Sequence, residues 1–262
     1  MKDHSYINLK LKENLGDICV EHYKTIGSTN DYLLEKDFIH KYHLCYADAQ
    51  TKGRGRRQSN WVSKVDSNIY STTGFKCSFS IEQAPLVSIK AAVGVLEGIK
   101  KFIPAGLQKY LKIKLPNDIY FNGQKLAGIL IETKNIKANS FDIVIGVGVN
   151  VNALSLGEDI DRDWTSLAII NKSQVNFSDV LVNMITSLIK TFEYTQNEVL
   201  AKFAEYDYIL GKTISFNYGD KSYQGVAKGI SNDLKLMIES DELLEVDIAS
   251  INTVRVVERN VY

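Results

Sequence analysis

The first clear apolar pattern begins at Ile18, where ICVEHY has the texture of a strand, and the period changes after Gly27. In TIGSTNDYLLEKDF, Ser28 and Asp31 have capping-box spacing ahead of apolar Tyr32, Leu33 and Leu34, which predicts a helix starting there. HLCYADAQ and NIYSTTGFKCSF alternate or run apolar as strands do, so the cationic stretch between them is a loop. From Pro85 to Phe102, PLVSIKAAVGVLEGIKKF repeats apolar residues at helical spacing, and such a helix should pack on the sheet. Three strands are predicted next, in KIKLPNDIYF, KLAGILIE and FDIVIGVGVNVN. Asn122-Gly123 joins the first two as a hairpin, because both turn positions take positive φ. A two-residue turn there pairs Tyr120 with Lys125 and Asp118 with Ala127 on one face; Lys114 shares the parity of Asp118, although Pro116 can interrupt the ladder. FSDVLVNMITSLIKTFEYTQ reads as a long helix that continues through EVLAKFAEYD. After Leu210 the texture changes to GKTISFNY, KSYQGVAKGI, LKLMIES and LLEVDIASINTVRVV, with turn signals at Gly219-Asp220 and Asn232-Asp233. Closely spaced strands without helices predict a small barrel appended to the mixed domain, with the boundary between Tyr206 and Leu210.

Composition narrows the class. The 262 residues are 45% hydrophobic, enough for a real core, and Lys+Arg and Asp+Glu balance at 31 each. The whole molecule therefore gives no field for nucleic acid or a membrane surface, and any positive patch must be local. Cys19, Cys45 and Cys77 lie far apart with no C-x-x-C or Cys/His metal spacing, which fits reduced thiols. The N-terminus has no apolar core of signal-peptide length, and no apolar run approaches the roughly 20 residues that span a bilayer. A cytoplasmic protein is expected. The four histidines all fall within the first 43 residues without metal-ligand pairing, and G-x-S-x-G does not occur, so metalloenzyme and hydrolase readings lose support.

Three stretches carry candidate chemistry. In Gly53-Arg54-Gly55-Arg56-Arg57, glycines let backbone N–H groups approach an anion and guanidinium forks bind it in a bidentate way. The pattern is neither the dinucleotide fingerprint nor Walker A; a solvated basic turn, a nucleic-acid arm and a phosphate loop all remain open, with Trp61 as anchor or stacking platform. In KLPNDIYFNGQKLAGILIE, Lys114, Asp118 and Lys125 converge: ammonium groups suit phosphate oxygens, and a carboxylate can ligate Mg²⁺ or orient a lysine. Asn117-Asp118 could equally be a plain turn. In IGVGVNVN, Gly146 and Gly148 serve either close packing or ligand approach, with Asn150 able to read a polar edge. Ser28, Thr29 and Asn30 most economically cap a helix, whose N-terminus still offers donors to a pocket.

In chain order, Ser28-Thr29-Asn30, Gln50, GRGRR, Trp61, KLPND, KLAGILIE and GVGVNVN closely resemble the biotin–protein ligases, and DWTSLA and LGKTISF…YQGVAKGI extend the resemblance over about residues 20 to 262. The resemblance implies an α+β fold: a class II synthetase-like catalytic domain over residues 1–208, with a mixed sheet flanked by helices, and an SH3-like barrel over 209–262. It implies activation of biotin by Mg·ATP to biotinyl-5′-AMP, then transfer to a lysine of a biotin carboxyl carrier protein. It also implies roles. Ser28, Thr29, Asn30 and Gln50 hold biotin, while Gly53, Arg54, Gly55, Arg56 and Arg57 close over biotin and phosphate beside Trp61. Lys125 contacts carboxyl or phosphate oxygens near the wall of Gly128 and Ile129. Lys114 and Arg56 stabilise phosphate charge; Asn117 and Asp118 serve the nucleotide, Asp118 also as metal ligand, and Asn150 faces the adenine. Three departures stand out: Gln58-Ser59 follows the double arginine instead of Gly-Arg, Leu115 replaces the tryptophan of Lys-Trp-Pro-Asn-Asp, and DIASINTVRV lacks a glycine before the last strand. No segment long enough for a helix-turn-helix precedes the motifs, so DNA binding is not expected, and a monomer or homodimer is. The alternatives are a lipoate or octanoate ligase of the same superfamily and, from another class, a nucleic-acid-binding module.

Overall fold

The computed structural model describes residues 2–55, 61, 67–80, 83–155, 163–218, 221–240, 242–248 and 251–257. Ile18–Ile26 (β1) pairs in parallel with Tyr42–Gln50 (β2), and a parallel pair requires a crossover, which Thr29–Glu35 (α2) supplies. Asn68–Cys77 (β3) returns antiparallel on β2. Leu111–Lys114 (β4), Asp118–Phe121 (β5), Gln124–Lys137 (β6) and Ser140–Asn150 (β7) complete a seven-stranded mixed sheet in the order β1-β2-β3-β7-β6-β5-β4.

One face of this sheet carries Ile143, Ile145, Val147 and Val149 of β7 into the main core, against Ala84–Lys100 (α3) and Phe177–Thr191 (α5). The other face holds α2 and a smaller cluster of Leu33, Phe38, Cys45 and Val144. Thr213–Tyr218 (β8), Lys221–Ile230 (β9), Lys235–Glu239 (β10), Leu243–Asp247 (β11) and Ile251–Val256 (β12) form a separate antiparallel sheet in the order β11-β10-β9-β8-β12. The segment leading into the second sheet is tied to β4 of the first where Tyr208 N donates to Ile113 O at 2.9 Å.

Several expectations change. Four strands, not three, lie between α3 and α5, because KIKLPNDIYF folds back on itself at residues 115–117. Lys114 therefore faces Asp118 across a hairpin rather than along one strand. Tyr120 pairs with Lys125 as predicted, but a bulge between Ile119 and Tyr120 shifts Asp118 from Ala127 to Gly128. The long C-terminal helix is two, α5 and Gln196–Tyr206 (α6): the Thr195–Glu198 capping box starts a new helix after the first ends. LLEVDIASINTVRVV divides into β11 and β12. His4–Leu15 (α1), which packs on α5 and β1, and Leu167–Asn171 (α4) were not foreseen. Short or weakly amphipathic helices give little periodic signal. Among the described residues no helix is long and apolar enough to cross a membrane.

Candidate functional site

The α2 face of the sheet is stripped of side chains along alternate positions, and other side chains lie on the exposed backbone. Gly128 and Gly148 face each other across β6 and β7. A Cβ on Gly128 would stand 2.6 Å from Trp61 Cζ3, and one on Gly148 would stand 2.9 Å from Trp61 Nε1. The indole of Trp61 thus rests on this bare glycine pair. Two positions along the strand, a Cβ on Gly146 would come within 2.8 Å of Asn30 Cγ and still closer to its Oδ1. Both readings of the IGVG glycines come together: they are close-approach positions, and what approaches is the site.

Ser28 is the N-cap of α2; its Oγ accepts from Asp31 N at 3.3 Å. Only half of the capping box forms, because the Asp31 carboxylate pairs with Arg54 instead. Thr29 and Asn30 follow in the first turn, both buried, with their side chains against the sheet. Thr29 N donates to Gln50 Oε1 at 2.8 Å, and Thr29 Oγ1 lies 3.0 Å from the same oxygen. Thr72 Oγ1 stands 2.7 Å from Thr29 Oγ1 and 2.6 Å from Asn30 Oδ1. Asn30 Nδ2 donates to Glu132 Oε2 at 2.8 Å, and Arg54 donates to both Glu132 oxygens at 3.2 Å.

The loop after β2 reaches the glycine pair. Thr51 N and Lys52 N donate to Ile26 O and Gly27 O, and Trp61 N donates to Gly53 O at 3.0 Å. Beyond the indole stands the predicted lysine cluster: Lys125 Nζ lies 5.3 Å from the Trp61 ring and forms a 2.6 Å ion pair with Asp118. Lys114 Nζ lies 4.9 Å from the Tyr120 ring and 3.4 Å from its hydroxyl. Burial pulls the Lys114 ammonium below the usual lysine range; Asp118 opposes that, while Lys125 and Arg255 add to it. Lys125 is fixed from behind by 163–165, since its N–H donates to Asp163 O and its carbonyl accepts from Thr165 N, both at 3.0 Å.

The structure thus brings Thr29, Asn30, Gln50, Gly53, Arg54, Trp61, Gly128, Lys125 and Asp118 into one connected site, with Lys114 at its edge and Ser28 as cap. Asn117 and Asn150 have local work. Asn117 Nδ2 donates to Ile129 O at 3.0 Å, clamping the β4–β5 turn onto β6, and Asn150 Nδ2 donates to Thr165 O at 3.0 Å. Ile129 turns its buried side chain into the core and offers the site backbone alone. Gly55 is described without a side-chain role, and Arg56, Arg57 and Gln58-Ser59 lie outside the described residues. Sequence reasoning missed Thr72, Asp31, Glu132 and Tyr120. Glu132 had a signal: it is the lone acid in an otherwise apolar strand run, where an unpaired carboxylate would be costly.

The site thus sits on a seven-stranded mixed sheet, with a cationic cluster beside a polar floor and a second, antiparallel sheet following in the chain. Residues 23–150 match the model of the Biotin/lipoate A/B protein ligase family. The chain is 28% identical over 249 residues to the bifunctional ligase/repressor BirA of Escherichia coli (strain K12), covering 90% of this chain and 75% of that protein. It is 25% identical over 198 residues to the biotin–[acetyl-CoA-carboxylase] ligase of Mycobacterium tuberculosis (strain ATCC 25618 / H37Rv), covering 74% and 71%. Its fold superposes on the biotin protein ligase of Aquifex aeolicus in complex with biotin and ATP with a TM-score of 0.75 at 23% identity, covering 93% of this chain and all of that one.

Proposed function

We propose that this chain is a biotin–protein ligase, which joins biotin to ATP as biotinyl-5′-AMP and transfers the biotinyl group to a lysine of a biotin carboxyl carrier protein. The observation that carries this is the run of contacts from the Thr29–Gln50 floor through Gly53 and Trp61 to the Lys125–Asp118 pair. A polar floor for a neutral ring, an aromatic plate and a cation follow one another along these contacts, and an acid with a polar head and an apolar stem needs all three. The two relatives with their ligase names and the family match support the same reading.

The first step unites two anions. The biotin carboxylate attacks the α-phosphorus, and pyrophosphate leaves. Lys125 and Lys114 offset the repulsion and the charge developing on the phosphate, a matter of positioning and electrostatics. Asp118 holds Lys125 in place and offers a second carboxylate oxygen. Asp118 would be the protein ligand for Mg²⁺, an ion commonly held by one or two carboxylates plus substrate phosphates, and the ion would supply further neutralisation of phosphate charge. Arg54, tied to Asp31 and Glu132 at the start of the stretch after β2, adds a third cation to the site, and an adenylate there must be kept from water. In the second step the acceptor amine attacks the mixed anhydride and AMP leaves. Residues 1–208 form the catalytic unit and 209–262 the barrel, and a cytoplasmic location fits the three free thiols.

The test is incubation with biotin, Mg·ATP and a biotin carrier domain, followed by mass analysis of the acceptor lysine. A biotinyl adduct is expected, together with thermal stabilisation by biotin plus ATP and none by lipoate plus ATP. No adduct from folded components, or stabilisation by lipoate instead, overturns the assignment.

A further inference from the structure

The floor of the site is the near end of a hydrogen-bond chain that runs to a carboxylate. Gln50 Oε1, Thr29 Oγ1, Thr72 Oγ1 and Asn30 Oδ1 stand in a row at separations of 3.0, 2.7 and 2.6 Å. Three oxygen–oxygen contacts share two hydroxyl protons, because each threonine has one and a glutamine or asparagine oxygen has none.

The far end decides how those protons are placed. An ionised Glu132 only accepts, so the nitrogen of the Asn30 amide must face it at 2.8 Å, and Asn30 Oδ1 must face Thr72. Asn30 Oδ1 needs the Thr72 proton; Thr72 then needs the Thr29 proton across the 2.7 Å contact. The contact without a proton is the longest, between Thr29 Oγ1 and Gln50 Oε1. Gln50 Oε1 is itself oriented by Thr29 N, which places Gln50 Nε2 toward the Gly53 backbone, 3.2 Å from where a Cβ there would stand. The floor therefore offers two acceptors that one donor can bridge, with an N–H donor beside them.

We propose that Glu132 is a positioning residue that acts through Asn30 and Thr72 to set the hydrogen-bond direction at the Thr29–Gln50 floor, and so makes the floor specific for an N–H/C=O edge such as a cyclic urea. This rests on the ligase reading of the floor. Glu132 also anchors Arg54, so one carboxylate aligns the floor and holds the root of the cationic loop.

A neutral amide in place of Glu132 reverses the chain. The amide introduced by Glu132→Gln can donate to Asn30, Asn30 to Thr72, Thr72 to Thr29 and Thr29 to Gln50, so these four contacts each hold a proton without a ligand donor, and only the long 3.4 Å bond from Asn30 Nδ2 to Leu130 O is given up. The experiment is biotin-dependent ATP–pyrophosphate exchange, with KM for biotin and for ATP determined separately, on wild type, Glu132→Gln and the transposed pair Asn30→Asp with Glu132→Gln. In the pair the acceptor-only carboxylate sits at position 30 and accepts from both Thr72 and the amide at position 132, restoring the original direction.

Loss of one ligand hydrogen bond predicts a KM for biotin raised about tenfold or more in Glu132→Gln, with KM for ATP within about twofold and near-wild-type thermal melting. The transposed pair should return KM for biotin to within about threefold of wild type. If Glu132→Gln does not fold, Thr72→Val cuts the same chain with a side chain of similar shape and carries the same expectation. An active wild type with an unchanged biotin KM in the folded variant overturns the inference alone, as does a transposed pair that stays as defective as Glu132→Gln. A wild type without biotin-dependent exchange overturns the ligase reading, and the inference with it.

Discussion

Gly146→Ala tests the placement of Asn30 on the sheet. The new Cβ would stand 2.8 Å from Asn30 Cγ and 3.0 Å from Nδ2, inside the roughly 3.5–4.0 Å at which carbon atoms pack. Neither partner can give. Gly146 is held in the ladder on both sides, opposite Thr72 of β3 and Leu130 of β6. Asn30 is 5% exposed and tied to Thr72 and Glu132. Overpacking of this kind costs about 1–3 kcal/mol. Forcing the amide off a buried partner adds about 1–3 kcal/mol for each group left unsatisfied. A total of about 2–6 kcal/mol lowers Tm by at least about 4 °C for a chain of this size. Calorimetry reads the melt, and biotin-dependent pyrophosphate exchange reads the floor, which should weaken together with stability. Gly148→Ala is the control: the three atoms nearest its Cβ all belong to the Trp61 ring, which projects from a loop, so it should lose activity with a smaller change in Tm. A Gly146→Ala protein that melts within about 2 °C of wild type would refute the stacking of α2 on the sheet described above.

Other outcomes follow from the same geometry. Lys125→Ala removes the cation 5.3 Å from the indole and takes away the ion-pair partner of Asp118, so adenylate formation should fall about 10²–10³-fold, and a near-normal exchange rate contradicts the role. Because burial lowers the Lys114 pKa, this ammonium loses its proton at a lower pH than an ordinary lysine, and kcat/KM for ATP should decline on the alkaline side within that window. Lys114→Arg stays charged and should move that limb to higher pH; an unmoved limb removes Lys114 as its origin. His4 Nδ1 lies 2.7 Å from the Tyr46 hydroxyl, and burial with the stacked His22 holds the His4 pKa below its ordinary value. The neutral ring is therefore the folded form: its contribution is complete above about pH 6.5 and is lost as pH falls through the lowered value. The amide-exchange protection factor across His4–Leu15, taken relative to the intrinsic rate at each pH, should be smaller at pH 5 than at pH 7, and equal protection at both would exclude His4 as the latch of α1.

The sequence by itself determined the elements whose signal is local. Period two and period 3.6 placed β1, β2, β3, α3 and β7, the Asn122-Gly123 turn joined β5 to β6, and Ser28 marked the start of α2. The residue types of the site were legible too, because phosphate and carboxylate chemistry needs cations and glycines wherever they fall in space. Tertiary structure alone decided what faces what. A one-residue bulge changed the partner of Asp118, and a fold-back at residues 115–117 turned two residues of presumed equal parity into a cross-strand pair. Gly146 and Gly148 could have been packing or binding positions until Asn30 and Trp61 were seen lying on them. Thr72 left no mark in the sequence and Glu132 only its oddity as a lone acid, for a physical reason: their effect passes through hydrogen bonds to Asn30, 42 and 102 positions away, and no local pattern encodes a contact of that separation.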